Sequence, residues 1–194
     1  MKKLMLIALF SAFIVFESNA QAGFRVGVKG GLNFADFNTD LNTSSRTGYH
    51  AGAFATIKIA KIAIQPELIF SSQGSQLEIG NLDATFNYVN IPVMLKFYLI
   101  AGLNLQAGPQ FGFLTSARQD LDLGNGVRED VSEFYKSSDV SIGLGAGWDL
   151  PFGLTVDARY NLGVSEISDS EAVEAAKNQV FQVSLGYRII NLGK

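Results

Sequence analysis

One pattern repeats eight times along this chain: a short run of residues whose apolar side chains fall at every second position. The runs cover 24–34, 49–59, 62–70, 88–99, 103–113, 140–150, 154–162 and 181–189. In the first, Phe24, Val26, Val28, Gly30, Leu32 and Phe34 share one face, and Arg25, Gly27, Lys29, Gly31 and Asn33 share the other. A period of two is the mark of a strand with one apolar and one polar face. Each run has about the 9–11 residues that a tilted strand needs to cross a bilayer. The gaps alternate: 35–48, 73–85, 114–139 and 163–178 are long and polar, while Ala60-Lys61, Ile100-Ala101-Gly102 and Pro151-Phe152-Gly153 are tight. Long loops at one end and short turns at the other predict an all-β fold, an eight-stranded antiparallel up-and-down transmembrane β-barrel.

Soluble eight-stranded barrels exist too, with their apolar face inward. Two features point the other way. Gly27, Gly31, Gly52, Gly108, Gly112, Gly143, Gly145, Gly147 and Gly186 all fall on the polar face. The crowded interior of a small barrel has a use for glycine that a solvated surface lacks. The aromatic residues cluster at strand ends on the apolar face. Phe34, Tyr49, Phe70, Phe111, Phe113, Tyr160 and Phe181 fall near the extracellular rim, and Phe24, Phe97, Trp148 and Tyr187 near the periplasmic rim. Two aromatic belts around an aliphatic band are what the two lipid interfaces select. Pro66, Pro92 and Pro109 predict bulges or a broken ladder inside their strands.

The N-terminus supplies a route. Lys2-Lys3, the apolar run Leu4–Phe16 and the small-x-small sites ending at Ala20 and Ala22 form a secretory signal peptide pattern. The run is shorter than the ~20 residues of a spanning helix. Residues 1–22 are therefore expected to be removed, leaving a barrel domain at 23–194. Removal lowers Lys+Arg from 15 to 13 and Asp+Glu from 18 to 17, a mature net charge near −4. That balance argues against a nucleic-acid partner. The chain has no Cys, which excludes disulfides and a lipid-modified cysteine.

Inward-facing charge is the main chemical feature. Arg25, Lys29, Lys58, Lys96, Arg159 and Arg188 share the interior with Glu67, Asp149 and Asp157. An eight-stranded bore is just wide enough for side chains to fill, and buried charges need partners. These residues are expected to form a salt-bridge plug, with a narrow polar path as the alternative. The one His, His50, lies inward near the top of the second strand. Ser44, Ser45 and loop acids are within its reach in sequence, but no spacing supports a catalytic triad. One His and no Cys argue against zinc. No cofactor is expected. The acidic residues of the long gaps, Asp36, Asp40, Asp120, Asp122, Glu129, Asp130, Glu133, Glu166, Asp169, Glu171 and Glu174, match no calcium-loop spacing. Glu171–Lys177 is rich in helix formers and predicts a short helix.

Several stretches resemble the outer-membrane β-barrel proteins, often labelled "porin family", that are common in Bacteroidetes. They are Gly27-Val28-Lys29-Gly30-Gly31-Leu32-Asn33-Phe34, Tyr88-Val89-Asn90-Ile91-Pro92-Val93-Met94-Leu95-Lys96, Gly143–Gly147, Asp157–Gly163 and Ser184-Leu185-Gly186-Tyr187-Arg188. The resemblance implies a small barrel in the cell outer membrane and assigns no functional residues. Many such barrels end on an aromatic residue, whereas this chain runs past Tyr187 to Lys194. The expected role is structural or surface-interacting, carried by the long extracellular loops. A narrow porin-like channel is the alternative, and an outer-membrane enzyme a remote one. The expected partners are outer-membrane lipid, lipopolysaccharide and a protein at the loops.

Overall fold

The computed structural model describes residues 22–38, 43–77, 82–121, 127–130, 138–164 and 177–192. They form β1 (Ala22–Asn38), β2 (Thr43–Ile59), β3 (Ile62–Leu77), β4 (Leu82–Tyr98), β5 (Leu103–Leu121), β6 (Val127–Asp130), β7 (Ser138–Asp149), β8 (Leu154–Gly163) and β9 (Lys177–Leu192). All pairings are antiparallel. β1 pairs β2, β2 pairs β3, β3 pairs β4, β4 pairs β5, β5 pairs β7, and β7 pairs β8. β9 pairs β8 and returns to β1, Phe34 opposite Phe181, so that eight strands close on themselves. β6 stands outside the ring, paired with the far end of β5. A closed barrel satisfies every ladder group without an edge, which is why it can stand in lipid.

The period-two pattern becomes an inside and an outside. On β3, Ile62, Ile64, Leu68 and Phe70 point out and are exposed, whereas Ala63, Gln65, Glu67 and Ile69 point in and are buried. The same holds on β7, where Ile142, Leu144 and Trp148 face out while Ser141, Gly143 and Gly147 are buried. A water-soluble protein rarely exposes a contiguous apolar surface of this extent. Here the band encircles the whole barrel, so its solvent is hydrocarbon.

The glycines of the inner face mark close contact. A Cβ on Gly31 would collide with the Val183 carbonyl oxygen and fall 2.9 Å from the His50 ring. On the outer face a Cβ at Gly30 meets only the His50 carbonyl oxygen, at an ordinary 3.4 Å. At the short-turn end Gly102 and Gly153 take φ of 85° and 98°, and Ala60 and Ala101 take 52°. These left-handed residues reverse the chain in two or three positions.

Three expectations need correction. First, the strands on the long-loop side are much longer than the membrane requires: β1, β2 and β4 have 17 residues each and β5 has 19. The gaps 35–48 and 73–85 shrink to 39–42 and 78–81, and the gap 114–139 contains the β5–β6 ladder from Arg118–Asp130 to Leu121–Val127. Pairing needs only backbone groups, so a hairpin continues past the outward apolar band, and the inner face there stays buried at Phe86 and Ala117. The period-two signal stops at the lipid boundary while the strand does not. Second, of the two outcomes expected of the prolines, the broken ladder holds and the bulge does not. Pairing is skipped beside Pro66 and Pro92, yet the register is the same on both sides. A proline removes one ladder donor, and the flanking pairs hold the alignment. The register shifts lie instead at Val26/Gly27, Ser45/Tyr49 and Asn87/Tyr88. Third, Lys177 opens β9 rather than closing a helix. The rest of the expected helix and the expected signal peptide, apart from Ala22, lie outside the described residues.

The Val26/Gly27 shift also accounts for the chain beyond Tyr187. After the bulge Ile190 pairs Val26 and Leu192 pairs Phe24, so β9 continues to Leu192. The bulge reverses the parity of the strand, and Ile189, Ile190 and Leu192 are all exposed.

Candidate functional site

The barrel interior holds two linked groups of charge. The central one is built from six strands. Arg159 of β8 donates Nη1 to Glu67 Oε2 at 3.1 Å and Nη2 to Oε1 at 2.8 Å. Lys29 of β1 lies 3.4 Å from both Glu67 and Asp157. Lys96 of β4 reaches Asp157 at 3.5 Å. Gln106 of β5 donates to Asp157 Oδ1 at 2.6 Å and accepts from Arg159 at 3.1 Å. Gln65 donates to Glu67 at 2.8 Å and accepts from Thr56 of β2 at 2.9 Å. All these side chains are buried. Removing charges from water is costly, and a bidentate guanidinium–carboxylate pair with its remaining acceptors satisfied is the arrangement that offsets the cost best.

The second group lies at the short-turn end around Asp149. Its carboxylate receives the Tyr98 hydroxyl at 2.8 Å. Arg25, Lys96 and Arg188 stand further off, at 3.6, 3.7 and 4.0 Å. Arg188 is held by the turn carbonyls of Gly153 and Leu150, and Arg25 by Asn191 at 3.1 Å. Lys58 lies over the Tyr98 ring, 3.7 Å from its centroid, a cation–π contact. Among the described residues it has no carboxylate partner.

On the long-loop side of the ionic group, His50 is held in a network of neutral hydrogen bonds. His50 Nδ1 is 2.7 Å from Asn33 Oδ1 and Nε2 is 2.8 Å from Ser184 Oγ. Asn33 Oδ1 also accepts from Gln182 at 3.0 Å, and its amide donates to Ser71 at 2.9 Å. An acceptor at Nδ1 selects the Nδ1–H tautomer and leaves Nε2 to accept from Ser184. The order Ser–His–Asn has the connectivity of a nucleophile, base and orienting group. Ser184 is nevertheless buried on the inward face of β9, 4% exposed. The partners of His50 are thus Asn33 and Ser184, on β1 and β9. Ser44 and Ser45 pair with Gln76 and Ser75 in the backbone ladder. Among the described residues no group of three or more His, Cys, Asp or Glu stands close enough to hold a metal ion.

Apolar side chains complete the filling. Phe54, Ile69, Tyr88 and Met94 point inward and are buried. Charge alone does not single these out, nor Gln65, Gln106 and Asn33 beside them. Their inward parity in the strands was the signal that could have found them.

The outer aromatics divide between the ends. At the short-turn end Trp148 is opposite Leu103, Phe97 opposite Ile62, Phe24 opposite Ile57 and Tyr187 opposite Leu154. Trp148 donates its Nε1–H to Ala101 O at 2.9 Å. Phe152, in a turn at this end, is also exposed. At the other end Phe34 and Phe181 pack with ring centroids 6.2 Å apart, and Tyr160 donates to Gln179 at 2.6 Å. Tyr49, Phe70, Phe111 and Phe113 stand exposed on the neighbouring strands.

Comparison with known proteins agrees with this architecture. The family model described as "Outer membrane protein beta-barrel domain" matches residues 16–169. Neisserial surface protein A shares the fold with a TM-score of 0.56 at 12% identity, over 86% of this chain and 97% of that one. Ail, the attachment invasion locus protein of Yersinia pestis, aligns with a TM-score of 0.50 at 13% identity, over 87% and 99%. No curated protein matches the chain in sequence. With its closed eight-stranded barrel and a family match over most of its length, the chain belongs to the outer-membrane protein β-barrel family and resides in the outer membrane.

Proposed function

We propose that this is a plugged barrel that acts at the cell surface through its long loops, and that it neither conducts nor catalyses. A signal peptide at 1–22 exports the chain, and residues 23–194 form the mature barrel of the Bacteroidetes "porin family" type. The short turns face the periplasm and the long loops the exterior. The two aromatic sets hold the barrel at the lipid interfaces.

The observation that carries this reading is the central ionic group. Glu67, Asp157, Arg159, Lys29 and Lys96 meet across the bore, each within ion-pair distance of another. Charges paired to one another do not line a conduit. The function then falls to the loops, whose acidic residues suit contact with lipopolysaccharide through divalent cations or with a protein partner.

The test replaces residues 122–126 and 165–176 with short Gly-Ser turns. The barrel is expected to keep its heat-modifiable migration in gels and to lose magnesium-dependent cosedimentation with lipopolysaccharide. Undiminished cosedimentation would overturn the loop assignment.

A further inference from the structure

The interior charge does not balance along its length, and the imbalance sits at the short-turn mouth. Arg25, Lys96 and Arg188 stand within 4.0 Å of one carboxylate, Asp149, and Lys58 lies over the ring of Tyr98, whose hydroxyl donates to it. In the central group the guanidinium–carboxylate contact is 2.8 Å. At the mouth the Arg25 and Arg188 contacts are 3.6 and 4.0 Å, beyond hydrogen-bond length. Asp149 Oδ2 already accepts from the Tyr98 hydroxyl at 2.8 Å. Lys58 lies against the face of Tyr98. The group is also more open than the centre, with the Arg25 side chain 16% exposed against 0% for Glu67.

We propose that this mouth is a binding site for a phosphate-class oxyanion entering from the periplasmic side. With Lys96 shared between Asp149 and Asp157, Arg25, Lys58 and Arg188 exceed the one carboxylate by at least two positive charges, enough to hold a hydrogen phosphate dianion. Arg188 is oriented by the turn carbonyls of Gly153 and Leu150, and Arg25 by Asn191. The site is thus arranged before the anion arrives. The low-dielectric barrel wall concentrates the field of the three cations at the opening. Guanidinium groups match the geometry of a tetrahedral oxyanion, and the Lys58 ammonium adds a point charge. The same chemistry fits free inorganic phosphate and the phosphate of a lipid headgroup in the inner leaflet.

The experiment follows the ³¹P line width of inorganic phosphate titrated with the protein purified in a nonionic detergent, at constant ionic strength in chloride. Saturable broadening with a millimolar dissociation constant is expected. Lys58→Gln and Arg25→Gln should each weaken it by about tenfold, as loss of one charge-assisted contact does, without changing the melting temperature in chloride by more than a few degrees. A repeat in phosphatidylglycerol nanodiscs separates the sources. Retained binding of added phosphate identifies the free ion, and its loss identifies a lipid headgroup already in the site. Broadening that is absent, or equal in the wild type and both folded variants, would overturn the proposal.

Discussion

Arg159 holds Glu67 by two parallel hydrogen bonds, of 3.1 and 2.8 Å, across 92 residues of sequence and the full width of the barrel. The pair is the centre of the interior ionic group, because Lys29, Gln65 and Gln106 all attach to one or other partner. Removing one member leaves the other charged and buried. Glu67→Gln should destabilise the barrel by ~3–5 kcal/mol, read as a lower unfolding midpoint in urea with lipid vesicles. Replacing both, with Glu67→Leu and Arg159→Leu together, should recover most of that loss. A double variant as unstable as the sum of the singles would contradict the pairing.

The faces of the strands were legible in the sequence, and the partners within the lumen were not. Period two places Lys29, Glu67 and Arg159 inward without ambiguity. Which of them meet depends on the stagger between strands that are not neighbours, and no local pattern encodes stagger. The His50–Ser184 contact, 134 residues apart, was hidden for the same reason. Strand ends were hidden by a different cause. Gln73–Leu77 and Leu82–Phe86 pair past the outward apolar band, where no lipid-facing side demands alternation. The doublet Ile189-Ile190 did carry a signal. Two adjacent outward apolar residues mark the bulge that lets β9 continue to Leu192.

Adjacent glycines should respond in opposite ways to the same substitution. Gly31→Ala places a methyl against the Val183 carbonyl and the His50 ring. It should abolish heat-modifiable folding or cost ~1–3 kcal/mol, the range for overpacking a filled core. Gly30→Ala faces lipid and should stay within ~0.5 kcal/mol of the wild type. Equal behaviour of the two would show that the inner face is not close-packed at this level.

The Ser184–His50–Asn33 arrangement is predicted to be structural. A fluorophosphonate probe should leave Ser184 unlabelled in the folded barrel. His50→Ala should lower stability by ~1–3 kcal/mol, because it leaves buried Asn33 and Ser184 without their partner. Labelling at Ser184 by mass spectrometry would refute this and point to an acyl-transfer site.

Trp148 is the one tryptophan of the chain, so its fluorescence reports a single position. It faces outward at the short-turn end and is tied to Ala101 O. Phospholipids brominated near the headgroup should quench it more strongly than those brominated near the chain end, as at a membrane interface. Stronger quenching by the deep label would place this end of the barrel in the hydrocarbon centre.

A bore closed by its own ion pairs should be silent in single-channel recording of the purified barrel in a planar bilayer. A folded, heat-modifiable protein is expected to give no reproducible conductance steps, and steps should appear when Glu67→Gln loosens the centre. Reproducible steps in the wild type, altered by neutralising Lys29 or Arg159, would contradict the plug and make the barrel a narrow pore.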